Sequence, residues 1–339
     1  MAPNLDRNAR IVEPRTLTRR DFVRTLSAAA GSGGLITAAL AGCALTPSQK
    51  AEAAEAIVDK LGKLPKVKLS KRLGGMQVSR IVYCQDNAPD MLGPCLDAGM
   101  NFIHKASYWG ELPEELKKRP RESFYTDITV DNTSPGHNPD NYDEAYNQVV
   151  TQLDRTGLKY FDIFRAHYGW HTLDAFNKGA NASYRAFQRL KREGKVRYFG
   201  VSQHAAPREN YETYATMIQA QIDSGLIDAM QVWFSYATTP DELAIFEKAH
   251  KAGIAITAMK TVQHGGGKMR ADTAKQAELK APGMVGRACL RYVLGLKGSD
   301  GKPICDFAVS SLRNYAMLEE NLGSVAPRVA LSDGWTAAA

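Results

Sequence analysis

Residues Gly194-Lys-Val-Arg-Tyr-Phe-Gly-Val-Ser-Gln-His204 contain a helix end, a tight turn and a strand. Gly194 suits the left-handed conformation that closes a helix. The strand alternates branched or aromatic residues with others, as a buried strand does, and it leads into three polar side chains, Ser202, Gln203 and His204. Parallel α/β folds place their chemistry at the carboxyl ends of apolar strands. The stretch therefore predicts a parallel sheet with a functional site at that edge.

The same alternation of strand and helix repeats along the chain from Val67 onward. The predicted strands cover residues 78–84, 101–106, 123–130, 160–166, 196–201, 229–234, 254–259 and 304–309. Eight strand–helix pairs over about 270 residues are typical of a (β/α)8 TIM barrel. A doubly wound dinucleotide fold would carry Gly-x-Gly-x-x-Gly after its first strand, and none follows Tyr83. The sequence predicts an α/β protein with a single barrel over residues 67–339.

Composition supports a single large domain with additional sequence. The chain has 339 residues, a formal net charge of +7 and 44% hydrophobic residues, enough to bury a sizeable core. Much of the excess positive charge lies in the first 42 residues. The rest of the chain has no basic run interleaved with aromatic residues, so we expect no nucleic-acid partner.

Residues 1–42 resemble an export signal. Thr18-Arg19-Arg20-Asp21-Phe22-Val23 precedes a weakly apolar segment, rich in Ala and Gly, that is too short for a transmembrane helix. Twin arginines in this position are typical of a twin-arginine signal. Leu40-Ala41-Gly42-Cys43 is similar to a lipobox, whose Cys receives the lipid. We expect export by the twin-arginine machinery, a periplasmic location, a membrane anchor on Cys43 and a tether over 43–66. The alternative is a cytosolic protein with a disordered tail.

Several motifs, in the same order, resemble the aldo/keto reductase family, from Leu69 to about Val325. They are Leu73 to Ile81 (opening hairpin and first strand), Gly157 to His167 (fourth strand), Gly194 to Ser202 (fifth strand), Asp228 to Gln231 (sixth strand), Met259-Lys260 with Gly265-Gly266-Gly267, and Ser310 to Asn314 with Glu319-Glu320-Asn321. The resemblance implies the barrel fold and a reaction in which a nicotinamide cofactor, NADP(H) or NAD(H), exchanges hydride with a carbonyl or alcohol substrate.

The resemblance also implies a set of cofactor-binding residues. Hydrogen bonds to the nicotinamide carboxamide are expected from Ser202, Gln203 and Gln231, with Gln203 where the family has Asn. Gly265, Gly266 and Gly267 are expected in the loop after strand seven, close to the diphosphate. Arg313 and Asn321 are expected at the ribose phosphate and the adenine. The alternatives without a cofactor role are a flexible turn at Gly265 to Gly267, a solvated side chain at Arg313 and a loop cap at Ser202.

The catalytic half of the resemblance is incomplete. His167 occupies the position of the family's catalytic His. The family's second-strand motif, Asp-Thr-Ala-x-x-Tyr-Gly, reads here His104-Lys-Ala-Ser-Tyr-Trp-Gly110. His104 thus replaces the Asp, and Trp109 replaces the proton-donating Tyr, with Tyr108 one position early. The third strand contains no Lys. In an extended segment Tyr108 would point to the other side.

Three functional hypotheses follow. The first is an altered oxidoreductase in which Tyr108, Lys105 or His104 restores acid catalysis beside His167. The second is a non-catalytic barrel that binds a ligand or a partner. The third is a metal site built on His104, His167 and His204, with Asp127 or Asp131 nearby. The remaining cysteines form no Cys-x-x-Cys motif and are expected to be mainly buried thiols: Cys84, Cys95, Cys289 and Cys305.

Overall fold

The computed structural model describes residues 46–326, apart from 70, 85–88, 132–137, 139, 168–169, 171 and 205–212. The predicted export signal and Cys43 therefore lie outside the described residues. Within this part of the chain, strands and helices alternate in the predicted order.

Eight parallel strands close into a barrel, which confirms the predicted (β/α)8 TIM fold. The ring closes where Ser310 of the last strand pairs with Tyr83 of the first. The strands are β3 (Ile81–Tyr83), β4 (Phe102–Ile103), β5 (Tyr125–Val130), β6 (Phe161–Ala166), β7 (Val196–Ser202), β8 (Ala229–Trp233), β9 (Ala255–Met259) and β10 (Phe307–Ser310). Their near-continuous burial is typical of parallel strands covered on both faces.

Helices surround the barrel, and several begin at a side-chain cap, as at Asn141, Thr172 and Thr239. Within the described residues, no helix is both long enough and apolar enough to cross a membrane. The helices are α1 (Pro47–Leu61), α2 (Leu92–Asp97), α3 (Glu114–Lys117), α4 (Tyr142–Thr156), α5 (Leu173–Arg192), α6 (Tyr214–Asp223), α7 (Pro240–Lys251), α8 (Thr261–Ala271), α9 (Thr273–Glu278), α10 (Val285–Gly295) and α11 (Tyr315–Leu322).

A short antiparallel hairpin covers the amino-terminal end of the barrel. Its strands are β1 (Lys66–Lys68) and β2 (Gln77–Ser79). Leu73 and Val78 are fully buried in one cluster with Phe102 and Phe307, whose ring centroids lie 5.4 Å apart. Because this end is closed by apolar packing, the polar site lies at the opposite, carboxyl-terminal end of the strands.

Helix α1 takes up most of the segment 43–66, for which the sequence allows either a tether or a short helix. Its capping box joins Thr46 and Gln49, and Ala53, Ile57 and Leu61 are buried against the barrel. A salt bridge from Lys60 to Glu319 ties α1 to α11. The segment looked like a tether because its mean hydropathy is low. Its apolar residues nevertheless recur with helical spacing and form one buried face.

The cysteines of the barrel are buried, as expected. Burial raises the pKa of the Cys289 thiol to about 11 and that of Cys305 to about 12. A thiol that stays protonated is a poor nucleophile and a poor metal ligand. These side chains therefore contribute packing to the core.

The glycines at 265–267 lie inside α8, not in the predicted loop. A Cβ on Gly265 would lie 2.8 Å from the backbone nitrogen of Tyr236, whereas a Cβ on Gly267 would meet nothing within 4 Å. Gly265 is therefore required by close packing of α8 on the segment after β8. The glycine run was misread because Gly favours loops in general, although it also permits two backbones to approach closely.

Alanine substitutions at these two glycines are expected to have opposite effects. Gly267→Ala should stabilise the protein by roughly 0.5–1 kcal/mol, because Ala is the better helix residue and the site is open. Gly265→Ala should destabilise it by about 1–3 kcal/mol, because the new methyl group has no space. Urea denaturation of both variants measures the difference. Equal destabilisation would contradict the helical assignment.

Candidate active site

A cavity of about 720 Å³ lies at the carboxyl ends of the strands. Side chains from the ends of most strands, and from α8, α10 and α11, line it. Those used below are His104, Lys105, His204, Gln231, Met259, Lys260, Arg270, Gly283, Gly286, Ser310, Arg313, Glu320 and Asn321. This is where the sequence placed the site. His104, Lys105, Gln231, Arg313 and Asn321 line it as expected.

A buried carboxylate, Asp127 of β5, organises the floor of the cavity. It accepts hydrogen bonds from His104 Nδ1 at 2.8 Å, from Arg165 Nε at 2.8 Å and from the Lys105 backbone N–H at 2.6 Å. The side chains of Asp127 and Arg165 are fully buried. Burial alone would raise the pKa of Asp127. The charge of Arg165, with the hydrogen bonds from His104 and from the Lys105 backbone, outweighs burial and holds that pKa well below its usual range.

His104 is a neutral, internally bonded ring. Burial lowers the pKa of His104 more than the neighbouring Asp127 carboxylate raises it. Since Asp127 can only accept, Nδ1 carries the proton. Nε2 then accepts from the Gln231 side-chain amide at 3.2 Å. With both ring nitrogens occupied, His104 positions its neighbours and is poorly placed to transfer a proton to a substrate.

Lys105, which lines the cavity, contacts His167, which lies just outside the lining. The Lys105 ammonium lies 3.4 Å from His167 Nε2, and His167 Nδ1 is bonded to the Asp131 carboxylate. Lys105 lies two residues after β4 and has a left-handed backbone, with φ 63° and ψ 59°. That conformation turns the chain from β4 into a short 3-10 helix over Ala106–Tyr108. A charged proton donor and an imidazole thus meet at one place.

Tyr108, a predicted catalytic residue, lies outside the lining of this cavity. The segment is a 3-10 helix and not an extended chain, so the side-chain alternation assumed from the sequence does not apply. Tyr108 is 57% exposed, with the Lys105 ammonium 4.9 Å from its ring centre. Trp109, which stands where the family has its Tyr, packs against the core, and its carbonyl accepts from Gln152.

Two buried polar atoms fit the nicotinamide carboxamide. Ser202 and Gln231 are directly paired across β7 and β8. Ser202 Oγ and Gln231 Oε1 are both buried and have no hydrogen-bond partner among the described residues. Buried polar atoms are normally satisfied, so Gln231, which lines the cavity, is available to a bound group, whereas Ser202 lies outside the lining. A hydroxyl donor beside a carbonyl acceptor matches the acceptor and donor of a carboxamide.

Gln203 does not join them. Its side-chain amide donates to the Trp170 carbonyl at 3.2 Å, and its carbonyl accepts from Gln221 at 2.6 Å. These bonds turn the side chain into the protein between β7 and α6. The expectation that Gln203 binds the cofactor as the family's Asn does is therefore not supported by its placement.

The other end of the cavity has features of an adenosine site. Arg313 is exposed there, and Asn321 donates to the buried Ser310 hydroxyl at 2.8 Å. The backbone approaches α11 closely at Gly286, because a Cβ there would lie 2.9 Å from the Asn321 side-chain oxygen. The Gly286 N–H donates to Glu320 at 2.8 Å. Gly283 and Gly286, and not Gly265 to Gly267, bring backbone to the cavity.

The sequence interpretation missed several of these residues. Arg165 stands two positions before His167 on β6, and this period-two spacing on a strand was a usable signal. Lys260 belongs to a recognised motif, but the motif by itself indicates no role for this side chain. Asp127 and Asp131 were considered only as metal ligands. Gly286 carried no local signal, since its role depends on contact with α11.

The metal hypothesis fails for the residues that the structure describes. No three His, Cys, Asp or Glu side chains converge there as a metal ion requires. Both nitrogens of His104 are bonded within the protein, and His167 lies between Asp131 and the Lys105 ammonium. A cation would have to displace that ammonium, which makes the place unfavourable for a second positive charge.

Comparison with known proteins agrees with this geometry. The model of the aldo/keto reductase family matches residues 72–283. No curated protein matches the sequence.

Several solved structures with similar folds are described as aldo-keto reductases. The holo form of one from Bacillus halodurans has a TM-score of 0.58 and 16% identity, covering 77% of this chain and 90% of that one. One from Brucella melitensis has a TM-score of 0.53 and 21% identity, covering 76% of this chain and 92% of that one. One from a Medee basin deep-sea metagenome library has a TM-score of 0.53 and 17% identity, covering 79% of this chain and 90% of that one. These likenesses concern the fold; the family match spans more than half of the sequence, and the chain belongs to the aldo/keto reductase family.

Proposed function

We propose that this protein is a nicotinamide-dependent oxidoreductase that acts on a carbonyl or alcohol, with Lys105 as the group that transfers the proton. Family membership supports oxidoreductase chemistry and a nicotinamide cofactor in general. The observation that carries the specific proposal is the contact between the Lys105 ammonium and His167 Nε2. It lies in the same cavity as the unsatisfied Gln231 oxygen.

The residues of the cavity suit a dinucleotide that spans it. Ser202 and Gln231 would hold the carboxamide, and Asn321 would contact the adenine. Arg313, with Arg270, would hold the phosphate that distinguishes NADP(H) from NAD(H), because guanidinium groups bind phosphate with two hydrogen bonds. A bound nicotinamide supplies or accepts the hydride of the reaction. The protein supplies binding, orientation and the proton.

Lys105 and His167 would act on the substrate oxygen. In reduction, that oxygen accepts a proton from the Lys105 ammonium as it gains negative charge; in oxidation, the neutral amine takes the proton back. An alkylammonium and a phenol lose their protons at similar pH in water, so lysine is a chemically reasonable substitute for the family's tyrosine. His167, held by Asp131, orients the same oxygen. Asp127 fixes the backbone of Lys105.

A non-catalytic barrel is the second candidate, because Trp109 occupies the position of the family's tyrosine and β5 provides no lysine. In that case the cavity would bind its ligand without turnover. The two hypotheses differ in whether Lys105 affects a rate.

We expect the purified mature protein to bind NADPH saturably, with micromolar affinity and more tightly than NADH. Gln231→Leu should weaken both cofactors about fivefold, the usual effect of losing one hydrogen bond. Arg313→Ala should weaken NADPH alone. Fluorescence titration with both cofactors gives the dissociation constants, and Lys268→Ala on the exposed side of α8 is the control. Failure of both cofactors to bind would refute the oxidoreductase assignment.

Removal of the Lys105 amine should reduce turnover without preventing cofactor binding. Lys105→Met is expected to lower kcat by about 10²–10⁴-fold, the usual contribution of a general acid. Lys105→Arg should also be impaired, because a guanidinium keeps its proton. Tyr108→Phe, a neighbour outside the cavity lining, should retain kcat. Steady-state kinetics across an aldehyde panel gives kcat for each variant. Melting curves show whether each variant is folded. Full activity of Lys105→Met would contradict the assigned role.

We also propose that the folded barrel is exported by the twin-arginine route and anchored through Cys43. This route carries folded proteins, so the cofactor can be bound before export. Replacement of Arg19 and Arg20 by lysine should keep the protein in the cytoplasm. Cys43→Ala should release it from the membrane, because the acyl chains provide the anchor. Cell fractionation tests both. Periplasmic, membrane-bound protein in both variants would rule out the proposed signal.

A further inference from the structure

Lys260 has a strained backbone and a cavity-facing side chain. It follows β9 directly and begins α8 with a left-handed conformation, φ 56° and ψ 23°. For a residue with a Cβ this conformation costs about 1–2 kcal/mol relative to the right-handed region. Gly or Asn would take it more easily. The side chain lines the same cavity as Lys105, which gives a reason for a lysine at this position.

The Lys260 ammonium has no carboxylate partner among the described residues. It lies 4.5 Å from the centre of the Trp233 ring. Burial, and then the charge of Lys105, lower the pKa of Lys260. Burial, and then the charge of Lys260, likewise lower the pKa of His264. Within the described residues, this part of the cavity therefore has positive charge that no salt bridge balances.

The charge balance of the whole cavity points the same way. Four cationic side chains line it: Lys105, Lys260, Arg270 and Arg313. Glu320 is the one carboxylate among the described lining residues, and it already accepts from the Gly286 N–H. Two arginines are available for the adenosine phosphate, which leaves the two lysines for a further anion.

A wall of rings, of which His204 lines the cavity, connects the two lysines. The ring centroids of His167 and His204 lie 5.6 Å apart, those of His204 and Trp233 lie 6.3 Å apart, and His264 stacks on Trp233 at 4.2 Å. Lys105 contacts His167 at one end of this wall, and Lys260 lies over Trp233 at the other. A small molecule along the wall would meet an ammonium group at each end.

We propose that the substrate is an anionic carbonyl compound, whose carboxylate or phosphate group binds Lys260 while its carbonyl oxygen faces Lys105 and His167. The proposal rests on the proposed oxidoreductase function. The competing anion is the cofactor's own diphosphate. The position of the Lys260 ammonium over Trp233, at the end of β8, favours the substrate, because Arg313 and Asn321 place the adenosine half beyond β10.

The test compares aldehydes that differ only in charge. With NADPH, the wild-type protein should reduce 4-formylbenzoate with a higher kcat/KM than its methyl ester. Lys260→Met should lower the acid-to-ester ratio of kcat/KM by about 10- to 100-fold, mainly through KM, the usual effect of losing a hydrogen bond to a charged group. Lys268→Met, on the exposed side of α8, is the matched control. The ratio of kcat/KM for glyceraldehyde 3-phosphate to that for glyceraldehyde, compared with the acid-to-ester ratio, shows whether the site prefers a phosphate or a carboxylate.

Each outcome decides one question. An acid-to-ester ratio that does not change in Lys260→Met overturns the proposal. A tenfold rise in the NADPH dissociation constant, with an equal loss of kcat/KM on the acid and the ester, also overturns it, because Lys260 would then bind the cofactor. If the wild-type protein reduces none of the aldehydes, the oxidoreductase function fails. Calorimetry with 4-(hydroxymethyl)benzoate, which cannot form an imine, then decides the anion site. Binding that Lys260→Met abolishes supports the site, and equal binding by both proteins refutes it.

Discussion

The buried carboxylate of Asp127 is the interaction on which the site depends. It connects β5 to His104 and Lys105 after β4 and to Arg165 on β6. Arg165 also donates to the Val201 carbonyl of β7 at 3.2 Å, so one charge network joins four neighbouring strands. Removing one partner of such a network leaves a buried charge uncompensated, which typically costs about 3–5 kcal/mol. The network therefore holds the polar ends of these strands in one arrangement.

Where the resemblance indicates that His104 replaces an acid, the structure still places a carboxylate. Asp127, on the next strand, provides the carboxylate, and Arg165 provides the balancing cation. A neutral His104 then links this charge to Gln231 on the opposite side of the barrel. The replacements form one consistent set of hydrogen bonds, which is what a maintained site requires.

The sequence predicted those features that repeat or that lie on one strand. The eight strands follow from alternation of strand and helix, and His104, Gln231 and Asn321 follow from their places in recognised motifs. Prediction failed where a residue's role depends on a contact between distant segments. Gly265 packs on Tyr236, and Gln203 is held by Trp170 and Gln221. Local sequence carries no record of such contacts.

Backbone strain is informative here only together with location. The non-glycine residues with positive φ in the described part of the chain are Lys105, Lys260 and Lys280. The Lys280 carbonyl accepts from the buried Arg291 at 2.8 Å, so its conformation serves the packing of α10. Lys105 and Lys260 instead lie just after two strands and line one cavity. Strain is retained where the surrounding structure compensates for it. In this barrel that place is the cavity where a carbonyl substrate and its charge would bind.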